Sequence, residues 1–205
     1  MIPSFKREDS LPLVQHVLSF LNDSNLQTKQ YVFEHFQGLI GLISPSELQL
    51  TILPSLFKLF ADKNWRIRSG VVASLMLIIP IVDEACCRDT LLPTTLSWLK
   101  DPVWNIRQGT CELIGSITGR FPSLLTEKLV KAPIFKELFE DVNYHLRQCW
   151  CFLIEAICKS QPKESKSDLL TSFLTNHVNE LLLAMISKDQ VFNVQISAIR
   201  RIKLL

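Results

Sequence analysis

DPVWNIRQ, Asp101 to Gln108, sets a tryptophan between an aspartate and an arginine, in a chain that otherwise alternates apolar runs with short polar ones. A bulky apolar side chain at a polar junction is odd in isolation, but the phrase recurs. Asp23-x-x-Leu26-x-Thr28-Lys29 and Asp62-x-x-Trp65-x-Ile67-Arg68 precede it. Asp141-x-x-Tyr144-x-Leu146-Arg147 and Asp189-x-x-Phe192-x-Val194-Gln195 follow. The aspartates stand 39, 39, 40 and 48 residues apart.

A period near forty is the size of one helix–turn–helix unit in a HEAT-type array. A second marker keeps the same register. Pro54, Pro93 and Pro133 each stand eight residues before an aspartate, inside apolar stretches that read as helix. There a proline removes one backbone bond and bends the helix. In the second unit, Leu53, Leu56, Phe57 and Phe60 form one apolar stripe, and Ile67, Val71, Leu75 and Ile78 form another. One hairpin cannot bury both stripes, but stacked hairpins bury them in a continuous core. The sequence therefore predicts an all-α HEAT-repeat solenoid of about five helical hairpins. The units are 10–43, 47–80, 85–120, 124–160 and 168–205, in a single array over 1–205. The 48-residue step holds a polar, Pro-containing insertion, 161–167, read as a surface connection. Leu205 falls inside the last expected helix with no Gly or Pro stop, so a truncation or a further neighbouring unit is expected.

Composition agrees with this reading. Of 205 residues, 47% are apolar, too many for a mostly disordered chain, and only 6 are glycine, too few for the turns of a β-sandwich. Net charge is +2, from 22 basic and 20 acidic residues spread along the chain, without the basic stripe that nucleic-acid binding needs. The one basic cluster, Arg200-Arg201-x-Lys203, suits a helix C-terminus. The longest apolar run, 70–82, is too short to span a bilayer and contains Pro80. No secretory signal is visible, so a cytoplasmic or nuclear location is expected.

The six cysteines lie mostly in apolar helical stretches and read as reduced core residues. Cys149 and Cys151 point to opposite sides of a helix; His145 and Cys149 share a face, but nothing completes a tetrahedral metal site. His16, His35, His145 and His177 stand in no catalytic spacing, and no Gly-rich phosphate loop is present. The expectation is a non-enzyme with no cofactor, no metal and no small-molecule substrate.

Two groups of residues remain. Asp62, Arg68, Asp101, Arg107 and Asp141 are expected to form a structural ladder, each aspartate capping a helix and pairing with a basic residue of its own or a neighbouring unit, and fading at Gln195. The aromatics three residues after each aspartate, Trp65, Trp104, Tyr144 and Phe192, are candidates for partner contact. They either cap the core or line a ridge of intra-repeat turns, each beside a polar neighbour such as Arg66 or Asn193. Trp, Tyr and Arg are the residue types enriched at binding hot spots.

The ordered run NWRIR (64–68), LKDPVWNIR (99–107), DVNYHLR (141–147) and DQVFNV (189–194) resembles the C-terminal repeats of the scaffold (A) subunit of protein phosphatase 2A, and also the related regulatory subunit 1 of protein phosphatase 4. The resemblance covers roughly 62–205, with 1–61 fitting the preceding unit. It implies a non-enzymatic scaffold that holds a phosphatase catalytic subunit through its intra-repeat turns. By that resemblance the contacts are Trp65, Arg66, Trp104, Tyr144 and Arg147, with Phe192 and Asn193 adding to them. His145-Leu146 reverses the family's more frequent order, and Gln195 replaces its basic residue. The repeats that hold an exchangeable regulatory subunit in that family have no counterpart here, so a reduced scaffold or a competitor is expected. The alternative is a HEAT array of the tubulin-binding type, or one with another protein partner. That type carries its aromatic mainly in the first unit and lysine-rich turns afterwards.

Overall fold

The computed structural model describes residues 11–161 and 168–203. Every regular element among them is helical. Ten helices form five consecutive hairpins, and packing divides the chain into two compact units, 1–86 and 87–205. The first unit holds α1 (Leu11–Leu21), α2 (Leu26–Ile40), α3 (45–59) and α4 (Trp65–Ile78), and ends in a short turn, Glu84–Cys86. The second holds α5 (87–100), α6 (Trp104–Arg120), α7 (Pro133–Glu140), α8 (Tyr144–Ser160), α9 (168–188) and α10 (Phe192–Ile202).

Within each unit the second helices of successive hairpins pack on one another: α2 on α4, then α6 on α8 and α8 on α10. The expected stripe of α4 is buried throughout, at Ile67, Val71, Leu75 and Ile78. The stripe of α3 departs from expectation. Leu53 and Leu56 are buried as read, but Phe57 and Phe60 are only half-buried, and Leu48, Ile52 and Leu59 complete the stripe instead. The cause is a π-helical turn over Leu48–Ile52, where the amide of Leu53 reaches back five residues to the carbonyl of Leu48. A π turn holds an extra residue, so it rotates the buried face relative to the 3.6-residue period.

The register prolines sit just past such turns. Pro54 follows the π turn Leu48–Ile52, and Pro93 follows Cys87–Leu91. A proline inside a regular α-helix clashes with the carbonyl four residues back and leaves it without its donor. Widening the preceding turn moves that carbonyl aside, so the chain continues as helix. Pro133 differs from the expected bend. The π turn Leu125–Leu129 is followed by a break, Ala132 is extended (φ −70°, ψ 128°), and Pro133 opens α7 as its first residue. That is where proline is best tolerated, because the missing N–H would have no partner there. In the fifth hairpin a π turn forms over Leu174–Val178 with no proline at all.

The α6–α8 interface is the closest in the second unit. A methyl on Gly115 would stand 2.7 Å from the carbonyl oxygen of Ala156, and one on Gly119 would stand 2.6 Å from that of Ser160. The two glycines are one turn apart and let the backbones approach; Ser160 Oγ donates to the Gly115 carbonyl at 2.6 Å. Of the polar insertion only Gln161 is described. It is buried, with its amide nitrogen on the Thr118 carbonyl, rather than lying on the surface. Residues 162–167 lie outside the described residues. The last helix ends at Ile202, with Lys203 as its cap. Arg201 is not a solvated end charge: it is buried, ion-paired with Glu155 and stacked 4.3 Å from the Phe152 ring centre.

Helix α9, Asp168–Lys188, is long and apolar enough by length and composition to cross a membrane. Its apolar side, Leu170, Phe173, Leu174, Val178, Leu182 and Met185, is buried within the protein, and the helix packs on α10.

Candidate functional site

Each hairpin turn is built by the same few bonds. The aspartate carboxylate accepts the amide two residues on, at Asn25, Asn64, Val103, Asn143 and Val191, over 2.8 to 2.9 Å. The aspartates therefore do not cap the following helix, as the sequence reading expected. They fix the turn that leads to the cap. The cap is an asparagine in three hairpins: Asn25, Asn64 and Asn143 each accept the amide two residues on, at Gln27, Arg66 and His145. Val103 and Val191 hold the same place without a side-chain bond. The signal for these caps, Asp-x-Asn, stands in the sequence at 23–25, 62–64 and 141–143.

The residue six after the aspartate closes the turn from the other side. Arg68 Nη1 donates to the carbonyls of Asp62 and Lys63, Arg107 Nη1 to those of Asp101 and Pro102, and Arg147 Nη1 to those of Asp141 and Val142. Gln195 Nε2 donates to the Asp189 carbonyl at 2.8 Å, so the motif persists there without a charge. Own-unit pairing is thus to backbone oxygen rather than to carboxylate.

Carboxylate pairing runs between successive hairpins. In the first unit Lys29 Nζ lies 3.6 Å from Asp62. In the second, Arg147 holds Asp189 with two bonds, Nε at 2.6 Å and Nη2 at 2.9 Å. That contact holds the Asp189 carboxyl below the usual range and raises Arg147. Arg147, expected among the partner contacts, is therefore engaged within the chain as a ladder residue.

The four aromatics stand at the first position of the second helix in hairpins two to five, not at the turn tip; Leu26 holds that place in the first. Trp65 is 37% exposed with the exposed Arg66 guanidinium 4.9 Å from its ring centre. Phe192 is 70% exposed, next to exposed Asn193, whose carbonyl accepts from Gln148 Nε2 at 3.1 Å. Tyr144 is half-buried and stacks on its neighbour His145, ring centres 4.0 Å apart. Trp104 is half-buried too, edge-on to Phe152 at 4.7 Å, with the Arg107 guanidinium 5.3 Å from its ring centre. The start of α8 is linked to that of α10 by the Arg147–Asp189 and Gln148–Asn193 contacts, and the start of α6 meets α8 through Trp104 and Phe152.

Between the starts of α6 and α8 lies an open cleft of about 660 Å³. Trp104, Arg107, Asn143, His145, Gln148 and Phe152 line it, with Lys100 at its edge. His145, not Tyr144, is the fourth-hairpin ring that faces it. From the sequence His145 is expected only as the polar neighbour of Tyr144, outside any metal or catalytic set, and as a departure from the family order. The cleft thus joins two aromatic rings and a buried guanidinium with hydrogen-bonding side chains at its rim.

The cysteines carry no such chemistry. Cys111 and Cys149 are buried with sulfurs 3.6 Å apart. Its contact with Cys149 and its burial raise the Cys111 thiol well above the ordinary value, and burial pushes Cys151 up to about 12. Both are neutral thiols at physiological pH, poor nucleophiles and poor metal ligands. Among the described residues no three His, Cys, Asp or Glu side chains gather as a metal site.

The HEAT repeat family profile matches residues 91–121, from α5 through α6. No curated protein matches the sequence. Among solved structures, the crystal structure of Cex1p superposes with a TM-score of 0.72 at 15% identity, over 94% of this chain and 35% of the Cex1p chain. This chain thus spans about a third of the length of that protein. Two engineered proteins superpose at TM-scores of 0.53 and 0.54, both at 12% identity, over 93% of this chain and 78% and 80% of theirs. At such identities the likeness is one of fold. The chain is an all-α helical-repeat protein, and its third hairpin matches the HEAT repeat profile.

Proposed function

We propose that the chain is a non-enzymatic HEAT-repeat scaffold of the cytoplasm or nucleus that binds a protein partner, the catalytic subunit of a 2A/4-type serine/threonine phosphatase. Contact is through the starts of its second helices, at Trp65 and Arg66 in the first unit and at Trp104, Tyr144, Phe192 and Asn193 in the second. One observation carries the reading. The residue at the first helical position recurs as an aromatic in four hairpins, yet the bonds that build the turn belong to the aspartate, the asparagine and the arginine around it. The aromatic side chain is free of the turn's own hydrogen bonding, and at Trp65 and Phe192 it is exposed. Large amphipathic rings in that position are the usual anchors of protein interfaces. The phosphatase is favoured over other partners by the ordered resemblance of 62–205 to phosphatase scaffolds.

The test is capture of purified catalytic subunits of the 2A and 4 types by the immobilised chain. The expected result is specific capture that falls at least tenfold in the Trp65→Ala plus Trp104→Ala double variant, since hot-spot truncation costs about 2 kcal/mol or more. Capture that is unchanged in the folded double variant contradicts the reading.

A further inference from the structure

Arg147 and Arg107 occupy the same place in successive hairpins, and the chain itself shows what each should hold. In both, Nη1 closes the turn by donating to two backbone carbonyls. In Arg147 the opposite edge, Nε and Nη2, grips the carboxylate of Asp189 from the next hairpin. In Arg107 that edge is empty. Asp141, the corresponding carboxylate, accepts the Asn143 amide and acts electrostatically on Arg147, and it makes no ion pair with Arg107. Arg107 is only 6% exposed, and its buried Nε has no hydrogen-bond partner.

The difference traces to the first helical position. Tyr144 folds against His145 of its own helix, and the rung below it closes. Trp104 instead wedges edge-on against Phe152 of the next hairpin, and the space where a rung would form is the cleft described above. A buried guanidinium without a carboxylate is unfavourable, and an ionic partner is the strongest remedy available. The other charged group at the edge, Lys100, is already paired with Glu137 at 2.7 Å. Asp101 also lines the cleft, but its carboxylate is turned to the Val103 amide.

We propose that this cleft seats an acidic side chain of a partner's extended peptide segment. The carboxylate takes on Arg107 the place that Asp189 takes on Arg147, and an adjacent apolar residue lies against Trp104 and Phe152. His145 supplies a further hydrogen-bonding group at the rim. Because Nε is sealed at rest, entry restacks the Trp104 ring that lies against the guanidinium. The proposal rests on the protein-binding part of the reading above and not on the identity of the phosphatase.

The probe is a short peptide with two glutamates flanked by phenylalanines, and its counterpart with glutamines, titrated into the whole chain. The readout is the Arg107 Nε–H resonance, assigned from its disappearance in Arg107→Lys, together with peptide anisotropy. The expected result is a downfield shift of that resonance with the glutamate peptide alone, and binding at least tenfold tighter than for the glutamine peptide. His145→Glu, at an exposed position near a helix N-terminus that tolerates an acid, weakens glutamate-peptide binding at least tenfold with an unchanged melting curve; His145→Lys strengthens it. No movement of the Arg107 signal at millimolar peptide, or equal binding of the two peptides, overturns the proposal. Trp-dependent capture of a phosphatase alongside such a failure leaves the broader reading standing. Acid-specific peptide binding without phosphatase capture removes the phosphatase and keeps the cleft.

Discussion

The turn around Asp101 assigns each of its side chains a separate task. The aspartate fixes the backbone leading into the helix, the arginine ties down its carbonyls, and the residue before the aromatic caps it where it is an asparagine. Two consequences are measurable. Asn143→Ala removes a cap and should lower stability by about 1 kcal/mol, whereas Val103→Asn supplies one where the backbone already has cap geometry and should raise it by about 0.5–1 kcal/mol. Chemical denaturation of the two variants checks both signs. The Arg147–Asp189 pair, with side chains 16% and 7% exposed, gives a third. Arg147→Ala should cost about 3 kcal/mol at neutral pH, because it strands a mostly buried carboxylate. Asp189 has a depressed folded pKa, so the stability it contributes is complete above the ordinary carboxylate value of about 3.9 and is lost as pH falls through the lower folded value. The gap in denaturation midpoint between wild type and Arg147→Ala should therefore narrow as pH falls below about 4. A gap that stays constant to pH 2 contradicts this assignment. Much of this was legible beforehand: the Asp…Arg spacing marked both residues as structural. What was missed, the Asp-x-Asn cap, was also present in the sequence. It was overlooked because the aspartate was given the cap's task, two positions too early.

Helices of this chain are less regular than their periodicity suggests. The α4 stripe could be read directly, since α4 is uninterrupted. The α3 stripe could not, because a π turn adds a residue per turn and no single residue type announces one; the fifth hairpin makes the same turn without a proline. Pro54 and Pro93 each follow a widened turn, and at Pro133 the helix simply starts anew. Close helix contact is likewise visible only in three dimensions. Gly115 and Gly119 weaken a helix by propensity, yet they admit the carbonyls of Ala156 and Ser160. Gly115→Ala would raise the intrinsic propensity of α6 by about 1 kcal/mol but forces its methyl against backbone that cannot yield cheaply. The net expectation is a loss of about 1–3 kcal/mol, read as a lower melting temperature. A rise in melting temperature would mean that α6 and α8 are less tightly joined than described.

For the molecule as a whole, the repeat period carried most of the information. Five hairpins, an all-α fold and the position of the turn within each hairpin follow from one recurring phrase, because every repeat needs the same bonds there. The cleft does not follow from it. It arises where Trp104 packs across to Phe152 and one rung of the ladder fails to form, a packing choice between two hairpins that spacing cannot encode. The same logic separates what folds the chain from what it offers a partner: the aspartates and asparagines of the turns are spent on backbone amides, Arg107 keeps an unpartnered Nε, and the rings beside them are not required by those bonds. The most direct check is equilibrium binding of a purified 2A- or 4-type catalytic subunit to the whole chain, beside its Trp65→Ala, Trp104→Ala and Arg147→Ala variants. Binding should weaken at least tenfold with the two tryptophan changes together. Arg147→Ala, compared at a temperature where it is fully folded, should leave affinity within about threefold, since a difference of under about 0.7 kcal/mol is expected of a residue engaged within the chain. Equal affinity across all variants, or a loss with Arg147→Ala that exceeds the loss with the tryptophans, would contradict the division of roles on which the function rests.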